Sequence, residues 1–393
     1  MLNTNLSPWP SFSEEEISAV SQVLQSNKVN YWTGQQGREF EKEFAVYTDC
    51  KYAVAVANGT LALDLALNAL DIGEGDEVIV TSRTFIASIS SIINAGARPI
   101  FADVELDSQN ISAVSIKAVL TKKTKAIICV HLAGWPCEMD EIMALAQQNN
   151  LYVIEDCAQA HGTKYKGRSV GSIGHIGAWS FCQDKIMTTG GEGGMLTTND
   201  EKLWRKAWAF KDHGKSYAAV YETQHPPGYR WLHESFGTNW RLTEMQSAIG
   251  RIQLKRMPSW TKRRNENAEK LFQICRQYAW LVVPKVPDYI VHAYYKCYVF
   301  VDKEKLPKSS SRDDIINTIN ELNVPCYSGS CSEVYQEKAF EQTDLKPKIA
   351  LKNAQSLGET SLMFLVHPTL TDSEMTSVCQ RLNQAFDIID NKA

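Results

Sequence analysis

The sequence predicts an α/β protein: a large domain on a mainly parallel sheet, followed by a smaller α+β domain. Three observations predict it. From Tyr52 to Glu155, short apolar runs alternate with stretches of helical periodicity, the pattern of parallel strands joined by crossover helices. This alternation stops after Thr198, and the composition shifts again from Val282-Val283-Pro284 to Pro287. Beyond that shift lie an aromatic strand and two helices, the ingredients of a second, smaller domain. The boundary is placed between Met257 and Pro287, with residues 1–257 in the large domain and 258–393 supplying a linking helix and the small one.

Ser13-Glu14-Glu15-Glu16 has the form of a capping box and opens an amphipathic helix that reaches about Gln25. A loop containing Tyr31, Trp32, Thr33 and Gly34 leads into a second helix over 39–47. Strands are predicted near 53–57, 77–81, 98–101, 126–130 and 152–155, with helices between them near 60–70, 85–94, 112–120 and 139–148. Gly73-Glu74-Gly75-Asp76 and Gly96 mark turns. A further strand spans Gly177 to Phe181, and a helix spans Glu201 to Lys211. Residues 212–236, rich in Gly, Pro, His and Tyr, form a long irregular segment of the kind that is functional or mobile in a compact domain. Two helices follow, over 242–256 and 260–278. In the small domain a strand is expected over 293–301 and a helix over 312–322, and Thr371-Asp372-Ser373-Glu374 caps a last helix.

Composition excludes several classes of function. The 393 residues are 44% apolar and 22% charged with a net charge of −4, ordinary for a soluble globular protein. There is no basic run interleaved with aromatics, so nothing points to nucleic acid. No apolar stretch is long enough to span a bilayer, and Met1-Leu2-Asn3-Thr4-Asn5 lacks the layout of a secretory signal, so a cytoplasmic enzyme is expected. The ten cysteines are scattered in apolar contexts. Cys326 and Cys331 come nearest to a pair, but no second pair or nearby histidine completes a zinc set, and no metal is expected. Gly190-Gly191-Glu192-Gly193-Gly194 lacks the Gly-Lys-Ser/Thr ending of a nucleotide loop, and no Gly-x-Ser-x-Gly elbow suggests a hydrolase.

The chemistry concentrates between Leu151 and Thr198. One apolar strand ends on Asp156, and Lys185 follows the next strand ahead of a glycine-rich turn. Ligands of open α/β sheets bind at the carboxyl ends of strands. An acid and a lysine so placed are the pair that pyridoxal 5'-phosphate requires. The lysine holds the cofactor through an imine, and the acid keeps the pyridine nitrogen protonated so that the ring accepts electrons. Asn58-Gly59-Thr60, at the start of a helix, offers unpaired amides to the phosphate, and Ser180 adds a hydroxyl. A helix cap explains the triplet alone almost as well.

Asn58-Gly59-Thr60-Leu61-Ala62-Leu63, Glu155-Asp156-Cys157-Ala158-Gln159-Ala160-His161-Gly162 and Gly237-Thr238-Asn239-Trp240-Arg241-Leu242 resemble blocks of the DegT/DnrJ/EryC1/StrS family of sugar aminotransferases, in the family's order. The resemblance runs from about Pro8 to Leu370-Thr371-Asp372. It implies an aspartate-aminotransferase-like fold (fold type I of the pyridoxal phosphate enzymes), with a mainly parallel sheet of the seven-stranded type, and a homodimer with a shared active site. It also implies that Lys185 moves protons, that Gln159 contacts the cofactor ring and that Phe85 stacks on it. Asn239 would reach the phosphate in the neighbouring subunit, and Tyr31, Trp32, Thr33, His161 and Arg241 would serve the sugar, although a structural core histidine explains His161 equally well. Asn58 stands where the family usually has serine.

Leu6-Ser7-Pro8-Trp9-Pro10-Ser11-Phe12, Asn30-Tyr31-Trp32-Thr33-Gly34 and the segment from Pro325 to Glu333 are similar to the branch serving bacterial bacillosamine biosynthesis and protein glycosylation. That branch moves an amino group, by family habit from glutamate, to C4 of a UDP-linked 4-keto-6-deoxy-N-acetylhexosamine. The product is UDP-4-amino-4,6-dideoxy-N-acetylglucosamine. Two alternatives stay open: an aminotransferase for a dTDP- or GDP-linked 3- or 4-keto-sugar, and a non-catalytic regulatory or binding protein on the same fold.

Overall fold

The computed structural model describes residues 6–391, so the Met1–Asn5 stretch read for a secretory signal lies outside the described residues. The central sheet has seven strands: β1 (Tyr52–Val56), β2 (Glu77–Thr81), β3 (Arg98–Ala102), β4 (Thr124–Val130), β5 (Tyr152–Asp156), β6 (Ile176–Ser180) and β7 (Gly194–Thr198). Their order across the sheet is β1-β7-β6-β5-β4-β2-β3. Neighbours pair in parallel except around β7, which runs antiparallel to both β1 and β6.

Both faces of the sheet are buried, which is why its strands read as nearly unbroken apolar runs. Alternate residues of β1 show the two faces: Val54 and Val56 enter one core cluster, Ala53 and Ala55 another. Helices α1 (Glu14–Gln25), α2 (Gln36–Tyr47), α3 (Gly59–Ala69), α4 (Ala87–Asn94), α5 (Ala113–Val119), α6 (Met139–Asn149) and α7 (Glu201–Phe210) complete the alternation. The cap expected at Ser13 forms, with the Glu16 carboxylate accepting from the Ser13 amide at 2.9 Å. That carboxylate also accepts from Arg256 at 2.8 Å, tying α1 to the long helix described next.

The irregular segment after α7 contains one short helix, α8 (Tyr217–Tyr221). The two helices expected over 242–256 and 260–278 are a single one, α9 (Glu244–Cys275), which runs through Pro258. Proline removes one hydrogen bond and disfavours a helix interior. Tertiary packing overrides it here, because Leu254 and Met257 are buried against the large domain while Ala268, Leu271 and Phe272 are buried in the small one. The cut at 257/258 drawn from the sequence falls inside this helix.

The small domain carries an antiparallel sheet of β8 (Leu281–Val282), β9 (Cys297–Val301), β10 (Cys326–Tyr327) and β11 (Ser361–Phe364), in the order β8-β9-β11-β10. Helices α10 (Arg312–Glu321) and α12 (Asp372–Asp390) pack in its core, while α11 (Lys352–Thr360) turns Ala354 and Leu357 toward the large domain's core. Arg83, fully buried after β2, clips the lobes together. Its guanidinium donates to Gln109 Oε1 at 2.8 and 3.0 Å, to Ser332 Oγ at 2.8 Å and to Ser361 Oγ at 2.8 Å. Among the described residues, no helix is long and apolar enough to cross a membrane.

Phe44 lies at the centre of an aromatic cluster under β6, with ring centroids 5.2 Å from Trp179, 5.3 Å from Phe181 and 5.8 Å from Phe40. Phe44→Ala is expected to lower stability by about 3–5 kcal/mol through the cavity it leaves. The drop in the denaturant midpoint at an unchanged slope measures it.

Candidate active site

The carboxyl ends of β1, β2, β4, β5 and β6 open onto one cavity of about 790 Å³. The large domain contributes Gly59, Thr60, Phe85, Asp156, Gln159, Ser180 and Lys185 to its lining, and these are the residues that sequence reasoning assigned to the cofactor, except Asn239. The small domain closes the far wall with Tyr295, Lys296, Tyr298, Ser330 and Cys331.

Strand alternation separates the two acids at the end of β5. Glu155 turns into the core, where it accepts from the amides of Ile173 at 2.8 Å and Gly174 at 2.6 Å and meets His131 Nε2 at 3.0 Å. Asp156 turns to the cavity, accepting from Ser88 Oγ at 2.8 Å and from the Ala158 amide at 3.1 Å. Burial raises the Asp156 carboxyl above its ordinary range, opposed by those two bonds and by Lys185. A cationic partner at this spot would favour its ionised form. Gln159 Oε1 accepts from the Ala133 amide at 2.8 Å, which fixes the amide beside the acid.

Across the cavity, the turn from β1 into α3 lies directly against Ser180. A Cβ on Gly59 would come 2.5 Å from the Ser180 Cβ, so the two segments approach this closely only with glycine there. Asn58 caps the helix by accepting from the Leu61 amide at 2.9 Å. The first amides of α3 and the Ser180 hydroxyl form a cradle suited to a phosphate. Acid, cradle and lysine around one cavity fit pyridoxal phosphate.

Lys185 is held on every side. Its carbonyl accepts from the indole of Trp9 at 2.9 Å, and its amide donates to Cys182 O at 3.1 Å. Its Nζ lies 3.5 Å from the Tyr295 hydroxyl and 3.8 Å from Asp184 Oδ1. Tyr295 also donates a short hydrogen bond to Asp184 Oδ2. Burial alone would raise the Asp184 carboxyl, yet Lys185, the Tyr295 hydroxyl and Lys296 hold it below its ordinary value. The glycine-rich turn that follows is pinned by Thr188, whose amide donates to Gln253 Oε1 of α9 at 2.8 Å. Gly190 and Gly191 adopt φ of 89° and 125°, a region that favours glycine.

The model of the DegT/DnrJ/EryC1/StrS aminotransferase family matches residues 10–383. The chain belongs to that family. It is therefore a pyridoxal phosphate-dependent sugar aminotransferase. A solved aminotransferase from Psychrobacter cryohalolentis is 66% identical with a TM-score of 0.97, covering 98% of this chain and 100% of that one. The GDP-perosamine synthase of Escherichia coli O157:H7 is 34% identical over 96% of this chain and 97% of its own. The UDP-N-acetyl-3-dehydro-alpha-D-glucosamine 3-aminotransferase of Acidithiobacillus ferrooxidans is 40% identical over 65% of each chain.

Several residues expected from the family blocks lie elsewhere within this chain. His161 is a core histidine, fully buried between Trp179 and Phe181 at 5.2 and 5.6 Å, and burial holds its imidazole down at about 3. Tyr31 is buried, donating to Glu41 Oε2 at 2.9 Å, and Trp32 stands edge-on to Trp208 at 6.0 Å. Thr33 is exposed beside them and does not line the cavity. Arg241 is engaged by Asp212 at 2.7 Å, and the exposed Asn239 pairs through its backbone with Asp212. Local patterning could not place Tyr31 and Trp32, whose positions are set by packing against α2 and α7.

Sequence reasoning missed Ser88, Trp9, Tyr295 and Lys296, which reach the site from distant parts of the chain. Lys296 carried a signal: it is the one charge in the otherwise apolar run from Ala293 to Val301. Because Gly59 meets Ser180 so closely, Gly59→Ala is expected to weaken cofactor retention by about tenfold, or about 1.4 kcal/mol. Equilibrium dialysis of the cofactor, alongside a circular dichroism spectrum unchanged from wild type, checks it.

Proposed function

We propose that this chain moves the amino group of glutamate to C4 of a UDP-linked 4-keto-6-deoxy-N-acetylhexosamine, giving UDP-4-amino-4,6-dideoxy-N-acetylglucosamine in the cytoplasm, as in bacillosamine biosynthesis for protein glycosylation. The observation that carries the transfer chemistry is that Lys185 and Asp156 line one cavity of about 790 Å³. The cofactor supplies an electron sink when bound, with Asp156 at its ring nitrogen. The chain's own residues supply binding and proton movement. Lys185 Nζ takes the proton from the donor's α-carbon in the first half-reaction. In the second it delivers a proton to C4 of the sugar. Tyr295 and Asp184, hydrogen-bonded to each other beside Lys185, orient its amine.

The UDP-linked acetamido sugar is supported by the Acidithiobacillus relative's own substrate and by the similarity of the 6–12, 30–34 and 325–333 segments to the bacillosamine branch. A GDP-linked 4-keto sugar is the second reading, favoured by the perosamine synthase whose likeness spans 96% of this chain. A panel of UDP-, dTDP- and GDP-linked keto-sugars, offered to the glutamate-treated holoenzyme with product analysis, decides between them. The expected outcome is turnover of the UDP-linked 4-ketone with nitrogen at C4; preference for a GDP- or dTDP-linked ketone would refute the assignment.

The homodimer with a shared site belongs to the same reading. Asn239 sits at the end of a segment that exposes Trp231 at 83% and Phe236 at 100%, apolar surface that a second copy would cover. Asn239 would then serve the partner's phosphate cradle, and Trp32, Thr33 and Arg241 would flank the partner's sugar, with the buried Tyr31 anchoring their loop. Asn239→Ala is expected to leave the dimer folded while weakening cofactor retention about tenfold. Dialysis with light scattering measures both, and unchanged retention would argue against sharing.

A further inference from the structure

Two lysines line the reaction cavity and two arginines lie behind its walls, and three of these four cations have evident work. Lys185 is committed to the cofactor. Arg83 has its donors taken up by neutral oxygens of Gln109, Ser330, Ser332 and Ser361. Arg264 is buried outside the cavity lining, with its guanidinium over Trp9 at 5.1 Å and Nη1 donating to Tyr294 O at 3.2 Å.

Lys296 remains. It lines the cavity from the residue before β9, is partly buried, and among the described residues makes neither a hydrogen bond nor an ion pair. Its ammonium stands 4.7 Å from the centroid of the Tyr295 ring, and the Lys185 ammonium stands 4.9 Å from the same centroid. One tyrosine ring therefore seats both lysines at the reacting end of the cavity. Burial pulls the Lys296 amine down to about 8, Arg264 and Lys185 push the same way, and Asp184 opposes them. A desolvated cation beside a second lysine, with no acid bonded to it, is unfavourable until an anion arrives.

We propose that Lys296 binds the α-carboxylate of the amino donor. This rests on the aminotransferase reading above and assigns one more residue to it. The substrates bring three anionic groups to this cavity: the α- and γ-carboxylates of glutamate and the nucleotide diphosphate. The α-carboxylate is bonded directly to the carbon whose proton Lys185 removes, whereas the γ-carboxylate is held off from that carbon by two methylenes. The diphosphate lies across the hexose ring from the ketone carbon, too far from Lys185 to be met by a neighbour on the same tyrosine. Lys296 thus serves the first half-reaction, holding the donor so that its α-hydrogen faces Lys185 Nζ.

The test follows the two half-reactions separately in wild type, K296Q and K296R, all as the yellow holoenzyme. L-Glutamate is titrated without sugar, and bleaching gives the half-saturating concentration. The protein loaded with pyridoxamine phosphate is then titrated with the nucleotide keto-sugar. Loss of one charge-assisted contact predicts a 10- to 100-fold higher half-saturating glutamate for K296Q, roughly the worth of a hydrogen bond to a charged group. K296R, which keeps the charge, restores saturation toward the wild-type concentration, and the sugar titration of K296Q matches wild type. A purely structural role would disturb both titrations alike and overturn the proposal. So would a K296Q that saturates with glutamate as wild type does, or one weakened only toward the sugar. A wild type that glutamate leaves yellow sinks the donor reading and this inference with it. A bleaching wild type beside an unaffected K296Q sinks this inference alone.

Discussion

Parallel pairing of β5 with β6 sets Asp156 opposite Ala178, so the carboxylate and the chain leading to Lys185 leave the sheet at the same edge. Everything else in the site is arranged around that pairing. It needs close backbone approach: a Cβ on Gly174, just ahead of β6, would fall 2.9 Å from the Val153 carbonyl oxygen of β5. It also needs a rigid floor, which Trp179 and Phe181 provide by packing onto Phe40 and Phe44 of α2. The acid and the lysine can face each other across a cofactor only while the strands that carry them stay in register.

The pairing alone does not build a catalytic environment. The lysine's carbonyl is held by Trp9 from the N-terminal segment, and its amine is attended by Tyr295 from the small domain. The small domain is in turn fixed by Arg83, whose guanidinium bonds to neutral oxygens of both lobes. Three remote stretches therefore meet at one residue. That arrangement ties reactivity to the closed relation of the two domains, and it explains why a long helix continuous through Pro258 is useful: a stiff connection keeps the far wall where the lysine needs it.

Much of the site could be read from the sequence because strand-end chemistry is local. Asp156, Lys185, Gln159, Ser180, Gly59 and Thr60 all lie within a few residues of a strand's carboxyl end, and short-range periodicity locates such ends. Phe85 came out in the cavity too, although its helix begins two residues later, at Ala87. What local patterning could not supply was the identity of long-range neighbours. Tyr295 and Trp9 are ordinary aromatics until packing brings them to Lys185. His161 takes the structural one of its two readings, since five residues beyond Asp156 the chain has already turned back into the aromatic core. Pro258 misled for a related reason: its local preference was outweighed by the buried side chains on either side of it.

The whole arrangement requires the cofactor's aldehyde to be attached to the ε-nitrogen of Lys185. Borohydride reduction of the yellow holoenzyme, followed by proteolysis and mass spectrometry of the labelled peptide, locates that attachment. The label is expected on the peptide containing Ser180-Phe181-Cys182-Gln183-Asp184-Lys185. Label on Lys296, the other lysine of the cavity, or no label at all, would contradict it.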